Sequence, residues 1–274
     1  MIPRITLSSQ PLNTSLLGYG TSRLHHVTHR ERMNLIATAL EYGIIHFDTA
    51  PLYGDGLAER SLGAALKGRR GNAVIATKAG LAPNWVADEF PVSAPVVHAI
   101  KALGRVTRKA VPKRPPITAS AVRTSVERSL RRLQTDWIDL LLLHEPTLAV
   151  LPQSDAVMRG LEDLRREGKV RYTGLAGSAD NIASLEPSFR DYGLILQTQV
   201  NALSGWGARA DIVFGALSSG PQAFGVNARL TPADVGVRLK GALHGPNARC
   251  VVVSSKSAER LRQLAALALS ETRA

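Results

Sequence analysis

Cysteine occurs once in 274 residues, as Cys250, so no intrachain disulfide can form and a reducing cytoplasm is the expected compartment. Cys250 opens the run Val251-Val252-Val253, where it reads as a buried, inert thiol rather than a nucleophile. Long apolar runs are absent too: none reaches the roughly 18 residues of a membrane span, and Met1-Ile2-Pro3-Arg4 begins no apolar signal region. No membrane partner is expected. Gly-x-Gly-x-x-Gly is missing as well, since Gly18-Tyr19-Gly20 lacks its third glycine, and a Rossmann dinucleotide site is therefore not expected. Acidic residues are few, 22 against 34 Lys and Arg, which leaves a net charge of +12. Such a surplus can mark a nucleic-acid binder. Much of it, however, is local: Lys101, Arg105, Arg108, Lys109, Lys113 and Arg114 stand together with no aromatic side chains between them to stack bases. No nucleic-acid partner is expected, and no metal.

What is present is a regular alternation of short apolar strands and amphipathic helices, the pattern of a parallel sheet with helical crossovers. Strands are predicted over Ser15–Thr21, Ile44–Asp48, Ala73–Lys78, Trp137–His144, Val170–Leu175, Leu194–Asn201, Ile212–Leu217 and Arg249–Val253. Helices are predicted over Thr28–Tyr42, Leu57–Lys67, Ser120–Leu133, Asp155–Glu167, Ile182–Tyr192 and Ala258–Leu269. Thr28 can cap the first helix and Gly43 can end it. Eight strands, no dividing linker and this length fit one α/β domain over residues 1–274, a (β/α)8 TIM barrel of about 250 residues with modest insertions. Hydrophobic content of 45% suffices for its core.

Two connections are unusual. A long excursion rich in Pro and basic residues, Ala79–Ile117, leaves the carboxyl end of the third strand, the face where barrels carry their sites. It reads as a lid over an anionic ligand or as a solvated surface insertion. Trp85 within it reads as a wall of a substrate pocket or as packing for the flap. The connection Asn201–Asp211, by contrast, is too short for the helix expected between strands six and seven. The gap would expose apolar barrel surface for another segment or a partner subunit to cover.

Chemistry concentrates where strands end. His46-Phe47-Asp48-Thr49-Ala50-Pro51-Leu52-Tyr53-Gly54 puts a carboxylate and a phenol just past strand two, strand three ends on Lys78, and strand four ends on His144. A lysine at the mouth of an apolar barrel needs a counter-ion, which Asp48 can supply. An ammonium beside Tyr53 is expected to lower the phenol pKa and make it a usable proton donor. His144 can donate a hydrogen bond to a substrate oxygen. Together these groups suit protonation of an oxygen as negative charge develops on it, the demand of carbonyl reduction, with hydride supplied by a cofactor. After strand eight, Ser254-Ser255-Lys256-Ser257-Ala258-Glu259-Arg260 combines hydroxyls, two cations and a helix start able to converge on an anion.

Asp48 to Gly54 resembles the strand-two motif Asp-Thr-Ala-x-x-Tyr-Gly of the aldo-keto reductase superfamily. Glu59-Arg60-Ser61-Leu62-Gly63 is similar to the Glu-x-x-Leu-Gly helix that follows it. Ser129 to Leu140, with His144 and Pro146, resembles the family's second signature, and Lys78 stands at its lysine; the similarity runs from about Leu16 to about Leu264. The resemblance implies an NADPH-dependent oxidoreductase in which Asp48, Tyr53, Lys78 and His144 are catalytic. It further implies that Ser254, Ser255, Lys256, Ser257 and Arg260 grip the adenosine 2′-phosphate, and that Gln199 holds the nicotinamide carboxamide. Phe214 would stack on the nicotinamide, Leu217 is a further cofactor-binding residue, and Gly20 and Thr21 belong to the backbone floor of the pocket. The partner implied is a small-molecule carbonyl compound or the corresponding alcohol or sugar hemiacetal, acted on by a monomer or weak homo-oligomer.

The chain also departs from that pattern. Gly174-Leu175-Ala176-Gly177 replaces Gly-x-Ser-Asn after strand five, and Glu145 follows His144 where a Trp is common, giving a polar pocket wall that disfavours acidic substrates. Two other readings stay open: a catalytically weak cofactor-binding or regulatory protein, and a Schiff-base lyase with Lys78 as nucleophile.

Overall fold

The computed structural model describes residues 1–81, 115–151, 153–200, 210–217, 231–244 and 249–271. In chain order these form β1 (Arg4–Thr6), β2 (Asn13–Ser15), β3 (Leu17–Gly20), α1 (His29–Glu41), β4 (His46–Asp48), α2 (Leu57–Leu66), β5 (Val74–Ala79) and α3 (Ala119–Leu133). There follow β6 (Ile138–His144), α4 (Ser154–Arg166), β7 (Val170–Gly177), α5 (Ala179–Phe189), β8 (Ile195–Gln199), β9 (Ile212–Phe214), α6 (Pro232–Leu243), β10 (Cys250–Val253) and α7 (Ala258–Glu271). Strands β3 to β10 pair in parallel and in order, with β10 closing onto β3, so the fold is a (β/α)8 TIM barrel. Trp85, the basic residues 101–114 and the connection 201–209 lie outside the described residues. Among the described residues no helix is long and apolar enough to cross a membrane.

Strand periodicity sorts the side chains into two layers. In β6, Leu140 and Leu142 point into the barrel, where they meet Val74, Ala76, Ile195, Ile212, Cys250 and Val252. Their neighbours Leu141 and Leu143 point out, into the layer shared with the helices. The same parity carries Asp48, Lys78, His144 and Gln197 to the inside at or near the carboxyl ends of their strands. Cys250 is fully buried and burial raises its thiol pKa, as an inert cysteine requires.

The amino-terminal end of the barrel is closed by the antiparallel pair β1–β2, which the sequence reading did not anticipate because three-residue strands leave almost no periodic signal. Leu7 and Leu12, from its turn, plug the interior apolar layer. Asp211 fixes that turn, accepting from Ser9 Oγ at 2.7 Å and from the Ser9 and Leu196 N–H groups at 3.1 and 3.0 Å. With this end sealed, access to the interior is from the carboxyl ends of the strands. α6 was also unanticipated, although its signal is legible in Thr231-Pro232-Ala233-Asp234. Thr231 and Asp234 form a reciprocal capping box with Pro232 in the first turn. Thr28 and Glu31 cap α1 in the same way. The predicted eighth strand starts one residue late, at Cys250, and β9 stops at Phe214 rather than Leu217 because Gly215 turns at φ 82°.

The motif Glu59-x-x-Leu62-Gly63 is explained by how α2 meets α3. A Cβ on Gly63 would come 2.6 Å from the Leu133 carbonyl oxygen, so only glycine permits this approach. At the same junction Glu59, fully buried, accepts from Arg132 Nε at 2.5 Å and from Thr77 Oγ1 at 2.6 Å, and Arg132 also donates to Ser129 Oγ. The two sequence signatures, one around Glu59 and one around Ser129–Arg132, are thus two halves of one buried ion pair.

Candidate active site

Asp48 ends β4, and Thr21 holds it there by donating to its carbonyl from both the backbone N–H (2.9 Å) and Oγ1 (3.0 Å). Lys78, one residue from the end of β5, is buried and bridges to the Asp48 carboxylate at 2.8 and 2.7 Å. The same ammonium donates to the Thr49 carbonyl at 3.0 Å and reaches the Tyr53 hydroxyl at 3.4 Å. The Thr49–Gly56 turn carries Tyr53 back over the barrel. Gly54 makes that possible, because its φ of 62° is left-handed and a Cβ there would strike His25 at 2.7 Å. The His144 ring meets the Tyr53 ring edge to face, with centroids 6.4 Å apart. All four groups line a cleft of about 590 Å³ at the carboxyl ends of the strands.

The electrostatics correct one expectation. The Tyr53 pKa is raised from its ordinary value of 10, chiefly by burial; Lys78 pulls it down, but Asp48 and Glu145 push it up. Tyr53 therefore holds its proton throughout the neutral range. For an acid that is sufficient: the proton is present, and the Lys78 ammonium stands ready to stabilise the phenolate left behind. Burial pulls the Lys78 pKa down, yet Asp48 and Tyr53 outweigh it and the net shift is upward. A lysine held cationic in this way is a poor Schiff-base nucleophile, which weighs against the lyase reading.

Below the site, His46 lies fully buried inside the barrel with Nδ1 3.0 Å from Thr14 Oγ1. Burial pushes its imidazole down to about 4, against the opposing pull of Asp48. The unfolded chain takes up this proton near the ordinary 6.5 and the folded chain only near 4. The stabilisation is thus complete above about 6.5 and is lost as pH falls toward 4. Between about pH 7 and pH 5 the loss is expected to be about 2 kcal/mol. Urea midpoints measured across that interval should fall in the parent chain, and His46→Gln should flatten this part of the slope.

Of the residues expected to bind a cofactor, Gly20, Phe214, Leu217, Ser254, Ser255, Lys256, Ser257 and Arg260 all line the cleft. They do not contribute alike. The Ser255 hydroxyl is consumed inside the turn, donating to Ser257 O at 2.9 Å and accepting from Ser257 N–H at 3.0 Å, and Ser257 Oγ caps α7 by accepting from Arg260 N–H. Tyr19 ties the turn down by donating to Ser255 O at 2.9 Å. Ser254, Lys256 and Arg260 stand exposed. A Cβ on Gly20 would sit 2.5 Å from Ser254 Oγ, so a larger residue there would have to turn that hydroxyl aside.

Two expectations change. Thr21 is fully buried and serves Asp48 rather than the cleft wall. Gln199 packs beside Gly215, whereas Gln197, two residues earlier on the same face of β8, lines the cleft and donates to Asp48 Oδ2 at 2.6 Å. Strand parity allows either glutamine, and only the barrel register separates them. Gln197 Oε1 is buried with no hydrogen-bond partner among the described residues. Ser22 and Arg23 also line the cleft without any sequence pattern that marks them, as do Ala176 and Gly177 of the altered stretch after strand five. Glu145 lines it next to His144.

A closed eight-stranded parallel barrel thus carries an Asp–Lys–Tyr–His constellation at its carboxyl mouth, and comparisons with known proteins give its family. The Aldo/keto reductase family model matches residues 16–204, and the chain belongs to that family. It is 30% identical over 179 residues to L-galactose dehydrogenase of Arabidopsis thaliana, covering 62% of this chain and 47% of that one. It is 31% identical over 188 residues to D-threo-aldose 1-dehydrogenase of a Pseudomonas species, covering 66% and 55%. The chain spans about half the length of the curated relatives it matches. Among solved structures, a Pseudomonas aeruginosa chain assigned to the aldo-keto reductases superposes with a TM-score of 0.71 at 27% identity, covering 98% of this chain and 96% of that one. An aldo-keto reductase of Klebsiella pneumoniae solved in complex with NADPH shares the fold at 19% identity, with a TM-score of 0.68 over 98% and 90% of the two chains.

Proposed function

We propose that this chain is an NADPH-dependent oxidoreductase that reduces an aldehyde or ketone, or oxidises the corresponding alcohol or sugar hemiacetal, with Tyr53 as the general acid. The observation that carries the proposal is the buried Lys78 ammonium, bonded to both Asp48 oxygens and within reach of the Tyr53 hydroxyl on an open cleft. A nicotinamide dinucleotide suits the residues present. The orphaned Gln197 Oε1 is a buried acceptor in need of an N–H donor, which a carboxamide supplies, and Phe214 lines the same cleft with a ring on which a nicotinamide could stack. Ser254, Lys256 and Arg260 offer a hydroxyl and two cations for a phosphate at another part of the same cleft.

Bound NADPH would supply hydride to the carbonyl carbon. Tyr53 donates its proton to the carbonyl oxygen, and Lys78 stabilises the phenolate as it forms. Asp48 keeps Lys78 charged and in place, and its own position is fixed by Thr21 and Gln197. His144, edge-on to Tyr53, orients the carbonyl oxygen by hydrogen bonding. Two relatives named for sugars support polyhydroxylated carbonyl compounds as the first class to assay.

The test is a fluorescence titration with NADPH and NADH, followed by addition of aldehydes, ketones and sugars to the bound cofactor. NADPH binding with oxidation of the cofactor supports the proposal; binding without turnover by any compound favours a regulatory role; no binding of either nucleotide contradicts it. Loss of Lys256 and Arg260 together, as Lys256→Met/Arg260→Met, is expected to weaken NADPH by at least roughly tenfold, the scale of one charge-assisted hydrogen bond. NADH, which lacks the 2′-phosphate, should be affected much less in the same titration.

A further inference from the structure

Glu145 is the one acidic side chain besides Asp48 among the described residues lining the cleft, and its backbone is in an uncommon state. Its φ of 49° is left-handed, a region in which a non-glycine residue other than Asn or Asp is held at a cost. The strained backbone is held by β7. Glu145 N–H donates to the Ala176 carbonyl at 2.6 Å, and His144 before it completes β6 opposite Ala176 of β7. This backbone turns the carboxylate across the end of β7. Its Oε2 lies 3.4 Å from both the Ser178 N–H and Asn181 Nδ2, and 3.3 Å from where a Cβ on Gly177 would stand. A side chain at 177 would compete for that space, and glycine leaves it to the carboxylate.

Charge around the cleft is divided. Arg23 follows β3, and Lys256 and Arg260 follow β10, strands that pair with one another; Glu145 follows β6 and Gly177 ends β7, on the opposite side of the closed barrel. The Asp48–Lys78 pair between them is internally compensated. The cleft therefore has cations suited to phosphate on one side and a carboxylate on the other, one residue past His144 and within electrostatic reach of Tyr53, the two groups that would meet the reacting carbonyl. Glu145 also feels Tyr53 electrostatically, helping to hold its proton on.

We infer that Glu145 is a specificity-determining residue whose carboxylate accepts a hydrogen bond from a hydroxyl on the carbon next to the substrate carbonyl and repels compounds that carry a carboxylate there. The inference rests on the proposed reductase reading and narrows its substrate to hydroxy-carbonyl compounds. A site built to accept from a hydroxyl loses most when that donor is absent, and like charges at close quarters discriminate strongly.

The experiment uses three small aldehydes that differ beside the carbonyl: glyceraldehyde with a hydroxyl, propanal with neither group, and glyoxylate with a carboxylate. With the NADPH-loaded protein, kcat/KM should rank glyceraldehyde above propanal and propanal above glyoxylate. In Glu145→Gln the ratio of glyoxylate to propanal should rise by on the order of tenfold. In Glu145→Leu the ratio of glyceraldehyde to propanal should fall by on the order of tenfold, about one charge-assisted hydrogen bond, whereas the change in Glu145→Gln reports relief of like-charge repulsion. Ratios within about twofold of the parent in both variants would overturn the inference. A parent chain that turns over none of the three would count against the reductase reading instead. Calorimetry then decides the role of Glu145 separately. Oxamate, a small carboxylate, should bind the NADP-loaded Glu145→Gln protein about tenfold more tightly than the parent, and an equal Kd would sink the inference.

Discussion

Replacing Tyr53 with phenylalanine is expected to lower turnover by roughly 10²–10⁴-fold, the usual contribution of a positioned general acid, with the Kd for NADPH little changed. The hydroxyl is the only atom lost, and it faces Lys78 across 3.4 Å rather than the phosphate arm of the cleft. The ring remains to pack against His144. A pH profile gives an independent check. Because burial holds the Tyr53 proton on above the ordinary value of 10, kcat/KM for reduction should stay level through neutral pH and fall only in the alkaline range as the phenol ionises. The alkaline limb should disappear in Tyr53→Phe along with most of the rate. A variant with full turnover, or a parent whose rate already falls between about pH 6 and 8, would show that another group delivers the proton.

The largest stability effect is expected at Arg132. It lies under the barrel's outer layer, with its guanidinium 2.5 Å from the fully buried Glu59 carboxylate. Arg132→Leu leaves that carboxylate buried without its cation, which should cost about 3–5 kcal/mol. The penalty arises from desolvated charge rather than from the pair's intrinsic strength. Glu59→Leu/Arg132→Leu should therefore recover much of the loss, since replacing both partners by apolar groups is often close to neutral. Thr77 then loses its acceptor at Glu59 Oε1, so recovery should stop short of the parent. Chemical denaturation of the parent, single and double variants measures the difference. A single variant within about 1 kcal/mol of the parent would show that water or another cation reaches Glu59.

Much of this architecture is legible in the residues because barrel strands have both a period and a direction. The parity of Leu140 and Leu142 carries through to His144, and that of Val74 and Ala76 to Lys78, so strand-end chemistry converges without any knowledge of tertiary contacts. Register is harder to read. Gln197 and Gln199 share a face, and only the closure of β8 against β7 and β9 decides which one meets Asp48. The sign of the Tyr53 shift was also beyond the sequence, because it is a balance between a visible neighbour, Lys78, and a degree of burial that strand pattern does not reveal. Arg23 reaches the cleft from an irregular turn that carries no motif. The hairpin β1–β2 was invisible for a different reason: its strands hold three residues each, and the plug works through Leu7 and Leu12 in the turn rather than through alternation within the strands.

The proposed activity stands on one step, hydride transfer to a carbonyl carbon coupled to proton donation from Tyr53. It is tested most directly by incubating the protein with NADPH deuterated at the transferring carbon and a glyceraldehyde substrate, then weighing the product. The account predicts an alcohol carrying one carbon-bound deuterium, formed by the parent chain and only marginally by Tyr53→Phe. Product without deuterium, or the same deuterated yield from Tyr53→Phe at matched early times, would contradict it.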